Sequence, residues 1–234
     1  MKNLNPNVSV DCVIFGFDNE KLNVLLIEQK LERGKSQLAL PGDLILDDEG
    51  LDEAASRVLK ELTQLEGIFL KQFKTFGNPD RVSDIKDLEW LQSYREHPQA
   101  RVITVAYLSL VKMGDFEPAA SSFAERVFWC DLKELPCLAF DHNDILDEAL
   151  YRLKEDFENK KTGFELLPEK FTLSHIQKLY EIILGKKLDK RNFRKKILKE
   201  KLVTPTNEKQ QGVLHKPARL YEVNPEELMV QNEA

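Results

Sequence analysis

The hydrophobic pattern of this chain changes character once, at Asn159–Pro168 (NKKTGFELLP), and that break is what most limits how it can fold. Upstream, alternating stretches and short apolar runs of β type are interleaved with amphipathic helical segments. Downstream the pattern is helical. A length of 234 residues allows one or two domains, and the break argues for two. The charge divides at the same place. Lys170–Val223 holds 14 Lys+Arg and 5 Asp+Glu, a balance of +9, whereas the whole chain carries −6, so the rest is at −15. A basic segment on an acidic body predicts a polyanion-binding module joined to something else, the alternative being a solvated helical face.

Composition removes several classes. Ten Gly exclude collagen, and 13 Phe with 42% hydrophobic residues argue against wholesale disorder. No stretch of about 18 uncharged apolar residues exists, so no membrane span is expected, and MKNLNPNVSVDC has no secretory h-region. Cys12, Cys130 and Cys137 are scattered and odd in number, which predicts neither a disulfide framework nor a metal knuckle. A reducing cytoplasm is the expected compartment.

In the first part, Val8–Phe17 and Val24–Ile27 flank a turn and predict a β-hairpin, with Leu38–Asp43 a short strand ending in a turn. Leu51–Leu65 places Leu51, Ala54, Ala55, Val58, Leu59, Leu62 and Leu65 at helical spacing. Phe69–Phe76, Arg101–Val111 and Glu125–Leu132 read as strands, with a long polar insertion and a short helix, Leu88–Tyr94, before the second. Ile145–Phe157 is an amphipathic helix. Beyond the break, Thr172 or Ser174 caps a helix ending at Gly185, Asp189 caps a second, and Leu202–Thr204 with Arg219–Val223 make a hairpin. Two helices and a hairpin are the layout of a winged helix.

From Gly42 to Gly67 the chain resembles the Nudix box. In that pattern Gly, five residues, Glu and seven residues lead to Arg-Glu-aliphatic-any-Glu-Glu-any-Gly. Glu49 and Arg57 fit, and Glu61 keeps one carboxylate. Gly42 is one residue too far from Glu49, Val58 and Leu62 replace two carboxylates, and Gln64 replaces the last Gly. Magnesium needs several oxygen ligands, which Val and Leu do not supply. No metal, no cofactor and no hydrolase activity are therefore expected, unless Asp47, Asp48 and Glu49 compensate from the loop. Val58 and Leu62 read as helix packing.

Phe76-Gly77-Asn78-Pro79-Asp80-Arg81, Val102–Tyr107 and Leu138-Ala139-Phe140-Asp141-His142 are similar to segments of the Nudix-related transcription regulators. The resemblance implies an α/β/α Nudix-like sandwich with a C-terminal winged helix-turn-helix: a sensing domain at 1–158, a linker at 159–169 and a DNA-binding domain at 170–234. Gly42-Asp43-Leu44-Ile45 is more similar to the arabinose-responsive, AraR-like branch than to the ADP-ribose-responsive NrtR branch. A sugar of the arabinose type is thus the expected effector, an ADP-ribose-like nucleotide being the alternative.

The expected ligand residues are Asp43, Glu49, Arg57, Glu61, Phe76, Asn78, Asp80 and Arg81. Phe76 and Tyr107 read more readily as core, Arg57 just as readily as a structural ion pair, and His97 and His142 as surface and hydrogen-bonding residues rather than metal ligands. On the second C-terminal helix Phe193 and Ile197 face inward, and Lys190, Arg191, Asn192, Arg194, Lys195, Lys196 and Lys199 are expected at DNA, joined from the hairpin by Lys209, His215, Lys216 and Arg219. Operator DNA, a small effector and a second copy of the chain are the expected partners, with no membrane. An active Nudix hydrolase and a non-enzymatic protein-interaction module are the competing readings.

Overall fold

The computed structural model describes residues 4–31, 35–82, 84–92, 95–159, 162–212 and 216–226. Tyr94 and His215 lie outside the described residues. The chain divides into two compact units, 1–150 and 151–234. The division falls inside the helix His142–Asn159, nearer its middle than the boundary expected at its C-terminal end.

The first unit is a mixed sheet with helices. Its strands are β1 (Leu4–Phe17), β2 (Leu22–Lys30), β3 (Ser36–Ala39), β4 (Gly42–Leu46), β5 (Lys71–Phe76), β6 (Ile103–Lys112) and β7 (Arg126–Asp131). They run in the order β3-β2-β1-β6-β5, with β4 pairing β1 and β7 pairing β2. β1 and β6 are parallel over ten register pairs from Val8↔Ile103 to Phe17↔Lys112, and the hairpin β1–β2 is antiparallel. The segment Leu38–Asp43, read as a short strand ending in a turn, closes β3, and a second strand, β4, begins at Gly42. Pro41 cannot donate to a ladder, and the chain changes partner there, from β2 to β1.

Strand alternation sets the layers. Val10, Cys12 and Ile14 of β1 join Ala54, Ala55, Val58, Leu59 and Leu62 of α1 (Leu51–Thr63) in one cluster, with Trp90 and Leu91 of α2 (Ile85–Gln92). The alternate residues of β1, from Asp11 to Phe17, face the other side. There Asp11 meets Asp141 and His142 at the start of α3 (His142–Asn159), through Arg81 and directly. This is the α/β/α arrangement expected for a Nudix fold.

The second unit is a winged helix. α4 (Leu173–Leu184) is capped by Thr172, whose Oγ1 accepts from the His175 N–H at 3.3 Å, and ends at Gly185 in the left-handed region (φ 66°). Asp189 caps α5 (Lys190–Lys199), accepting from the Asn192 N–H at 2.8 Å. β8 (Val203–Lys209) and β9 (Arg219–Val223) form the antiparallel hairpin. The segment expected as a bare linker contains a short 3₁₀ turn, Phe164–Leu166, whose Phe164 and Leu166 are buried in this unit. Phe164 and Leu166 have more to gain from burial than from water.

Candidate functional site

Helix α1 presents two faces. Val58 and Leu62 are each 1% exposed and packed in the core, so the positions that would carry box carboxylates are apolar packing residues. The polar flank holds Arg57 and Glu61, one turn apart. The loop from β4 supplies Glu49, whose Oε1 accepts from the Leu46 N–H at 2.8 Å. Arg57 binds Glu49 with both ends of its fork, Nε to Oε2 at 2.8 Å and Nη2 to Oε1 at 2.5 Å. It also donates to Glu61 Oε2 at 2.9 Å and to the Leu44 carbonyl at 3.1 Å. The bonds to Glu49 and then Glu61 raise the pKa of Arg57 against the opposing effect of burial.

A magnesium site of the Nudix kind does not fit this helix. Two of its oxygen donors are missing, and both remaining carboxylates hold a guanidinium. Asp47 and Asp48 are exposed, and among the described residues no group of three or more His, Cys, Asp or Glu is placed to hold a metal. The position where the box pattern has its last Gly is left-handed here (φ 57°), and Gln64 adopts that conformation as the C-cap of α1.

A second ionic cluster lies deeper. Arg81 donates to Asp141 through Nε at 3.0 Å and Nη2 at 2.7 Å, and reaches Asp11 Oδ2 at 3.4 Å. His142 Nδ1 accepts from the Leu40 N–H at 2.9 Å, which leaves Nε2 to donate to Asp11 Oδ1 at 3.4 Å. Burial alone would raise the Asp11 pKa, but His142, Arg81 and Thr104 together hold it well below the usual carboxylate range. Gly42, opposite Asp11 in the β1–β4 pair, leaves room for this carboxylate. A Cβ there would stand 1.8 Å from Asp11 Oδ1.

Between these clusters is a cleft of about 30 Å³ lined by Asp11, Gly42, Asp43, Arg81, Trp90 and Arg95, among others. That volume suits a water rather than a sugar or nucleotide. Burial pushes the Asp43 carboxyl upward, while the Leu44 N–H, Arg95 and Arg57 pull it back. Of the residues expected at a ligand, Asp43 and Arg81 line this cleft. Glu49, Arg57 and Glu61 form the adjoining cluster, with Arg57 and Glu61 close enough to act on Asp43 electrostatically. The others lie elsewhere. Phe76 is a β5 side chain set edge-on to Phe73 under Lys74. Asn78 makes a turn, accepting from the Asp80 and Arg81 N–H groups, and both Asn78 and Asp80 are exposed. Tyr107 is core, donating to Asp52 at 2.6 Å. Sequence reading passed over Asp11, Trp90 and Arg95. The available signal was a charged residue at Asp11, inside an otherwise apolar strand.

In the second unit, Ile197 is buried and Phe193 meets Tyr180 at 5.4 Å between ring centroids. Lys190, Arg191, Asn192, Lys195 and Lys199 are exposed on α5. Arg194 departs from the expected set, being half-buried and donating to Ser174 Oγ of α4 at 3.0 Å. On the hairpin, Arg219 stands opposite Lys209, and Lys216 is exposed.

Comparison with known proteins agrees with this division. Residues 5–153 match the NUDIX domain and residues 163–223 the NrtR DNA-binding winged helix domain. The chain is 31% identical over 220 residues to the ADPR responsive transcriptional repressor NtrR of Acinetobacter baylyi, covering 92% of this chain and 81% of the relative. It is 32% identical over 148 residues to the ADP-ribose pyrophosphatase of Methanocaldococcus jannaschii, covering 63% and 75%. Shewanella oneidensis NrtR, solved with a 27mer DNA, superimposes with a TM-score of 0.66 at 26% identity over 95% of both chains. Its NUDIX domain, solved with ADP ribose, does so at 0.50 and 27% identity over 63% of this chain and 88% of that one. These relatives correct the expected arabinose branch, because ADP-ribose, not a pentose, is the small molecule they are named for or bound to. Matched over both units, the chain belongs to the Nudix family in its NrtR-type form, a Nudix domain joined to a DNA-binding winged helix in a ligand-controlled transcription regulator.

Proposed function

We propose that this protein is an ADP-ribose-responsive repressor whose Nudix unit binds the effector without hydrolysing it. The observation that carries the reading is Arg57 occupying both remaining box carboxylates, in a chain alignable over 92% of its length with an ADPR-responsive repressor. The effector is proposed to enter beside Asp43 and Arg95, where a guanidinium can meet a diphosphate. A nucleotide needs at least about 300 Å³, so the cleft opens as it binds. DNA is held by the exposed arc of α5, Lys190, Arg191, Asn192, Lys195 and Lys199, and by Lys216 and Arg219 of the hairpin, as a homodimer on two half-sites.

The test is an electrophoretic shift with the promoter region of the protein's own gene. A sequence-specific complex should form, dissociate on adding ADP-ribose, and ignore L-arabinose. In parallel, ADP-ribose with Mg²⁺ should give no AMP above a protein-free control. Steady AMP release would establish the hydrolase reading instead, and failure to form any specific complex would remove the repressor. Arg95→Ala should weaken ADP-ribose binding roughly tenfold, in line with a lost charge-assisted contact, and leave promoter binding intact. Unchanged affinity would move the effector out of this cleft.

A further inference from the structure

A cavity lies in the DNA-binding unit. It measures about 390 Å³ and lies among the end of α3, α4 and α5. Its walls are Phe157, Tyr180, Leu184, Leu188, Phe193 and Ile197. The three rings form a continuous series, Phe157 to Tyr180 at 5.1 Å and Tyr180 to Phe193 at 5.4 Å between centroids. The backbone fixes one end of that series. At Gly163 (φ 89°) a Cβ would lie 2.3 Å from the Phe157 ring, so the chain presses directly on its edge. The recess is partly open to solvent, and small-ligand sites have this volume and this lining.

The mouth states the charge of the occupant. Lys186 and Glu158 neutralise each other at 2.5 Å. The Asp189 carboxylate is committed to the N-terminus of α5. Lys196 is exposed, and among the described residues it makes no ion pair, only a longer-range attraction to Glu158. Around it the segment Lys170–Val223 carries +9. An incoming molecule therefore meets an aromatic and aliphatic interior under one available ammonium. We infer that the winged-helix unit contains a second small-molecule site, between α4 and α5, for an amphipathic anion with a ring body and one acidic group.

The site is distinct from the Nudix cleft and shares no residue with it. α5 contributes Phe193, Lys196 and Ile197 to the cavity, Asn192 stands at its rim and also on the exposed arc, and Lys190, Arg191, Lys195 and Lys199 lie on that arc alone. An occupant thus bears on the same helix that is proposed to read DNA.

The test uses the full chain with two dyes of equal ring content, without ADP-ribose or DNA, so it stands or falls separately from the repressor reading. The probes are 8-anilino-1-naphthalenesulfonate, which is anionic, and N-phenyl-1-naphthylamine, which is neutral. Each should bind saturably at one per chain. Leu184→Trp, which fills the cavity, should abolish both while the melting temperature is kept. Lys196→Gln should weaken the sulfonate roughly two- to fivefold, the worth of one exposed charge pair, and leave the neutral dye unchanged. Should Leu184→Trp fail to fold, hydrogen exchange on the unmodified protein still decides, and the sulfonate should slow it in residues 180–197. Absence of saturable binding, dye binding indifferent to Leu184→Trp in a folded variant, equal weakening of both dyes by Lys196→Gln, or protection confined to other segments would each overturn the site.

Discussion

Arg57 decides what the carboxylates of α1 and its preceding loop are free to do. Its planar fork makes two parallel bonds to Glu49 and a third to Glu61, a geometry that a lysine ammonium cannot copy. Arg57→Lys is therefore expected to destabilise almost as much as Arg57→Ala, by about 1–3 kcal/mol in urea unfolding; full rescue by Lys would show that charge alone suffices. Arg81 is more deeply placed, and Arg81→Met strands Asp11 and Asp141, at a cost of about 3–5 kcal/mol. The same cluster makes stability depend on pH. Asp11 has a folded pKa below its unfolded one, so its contribution is present above the ordinary carboxylate range and is lost as pH falls through that range toward the folded value. Lowering pH from about 5 to about 3, across the unfolded carboxylate value, should cost the unmodified protein more stability than Asp11→Asn, which has no such proton to bind. Parallel losses in the two proteins would place the acid sensitivity elsewhere.

At the scale of elements, the winged helix was the more legible half. Thr172, Gly185 and Asp189 are local signals, and each caps the helix it was read to cap, because cap chemistry is settled within four residues. The apolar spacing of Leu51 to Leu62 likewise gave α1. Contacts between distant residues were not legible. Arg81 and Asp141 are 60 positions apart, and Asp11 and Arg81 are 70, so only the fold brings them together. The strand that begins at Gly42 was missed for the same reason, since a change of partner strand leaves no periodicity. Arg194 shows the limit on α5 itself, where a basic residue in a basic run turns to Ser174 of the neighbouring helix. The exposed residues carry the prediction for this element. If Arg191 reads a base, Arg191→Ala should cost about 1–3 kcal/mol of promoter affinity and relax preference at one position, whereas Lys199→Ala should weaken all sequences alike and lower the salt slope by about one. Equal, sequence-independent losses for both would make α5 a phosphate-binding helix only.

For the molecule as a whole, regulation requires that the two units exchange free energy, and α3 is the continuous element that belongs to both. It buries Ile145, Leu146 and Ala149 in the first unit and Phe157 in the second, with the division between Leu150 and Tyr151. If ADP-ribose weakens promoter binding by some factor, promoter DNA must weaken ADP-ribose binding by the same factor, typically about 5- to 150-fold. A rigid helix can carry that coupling only while its hydrogen bonds run unbroken. Tyr151 is 56% exposed, so its side chain can be replaced with little loss of packing. Tyr151→Pro removes a backbone donor and clashes with the preceding turn, which costs a helix interior about 3 kcal/mol. The expected result is an uncoupled protein that binds ADP-ribose and promoter DNA each with near-normal affinity when measured alone, with the mutual weakening reduced toward onefold. Titrations of each ligand, with and without a saturating amount of the other, measure this directly. Coupling that survives the proline undiminished would show that free energy passes between the units by a route other than α3.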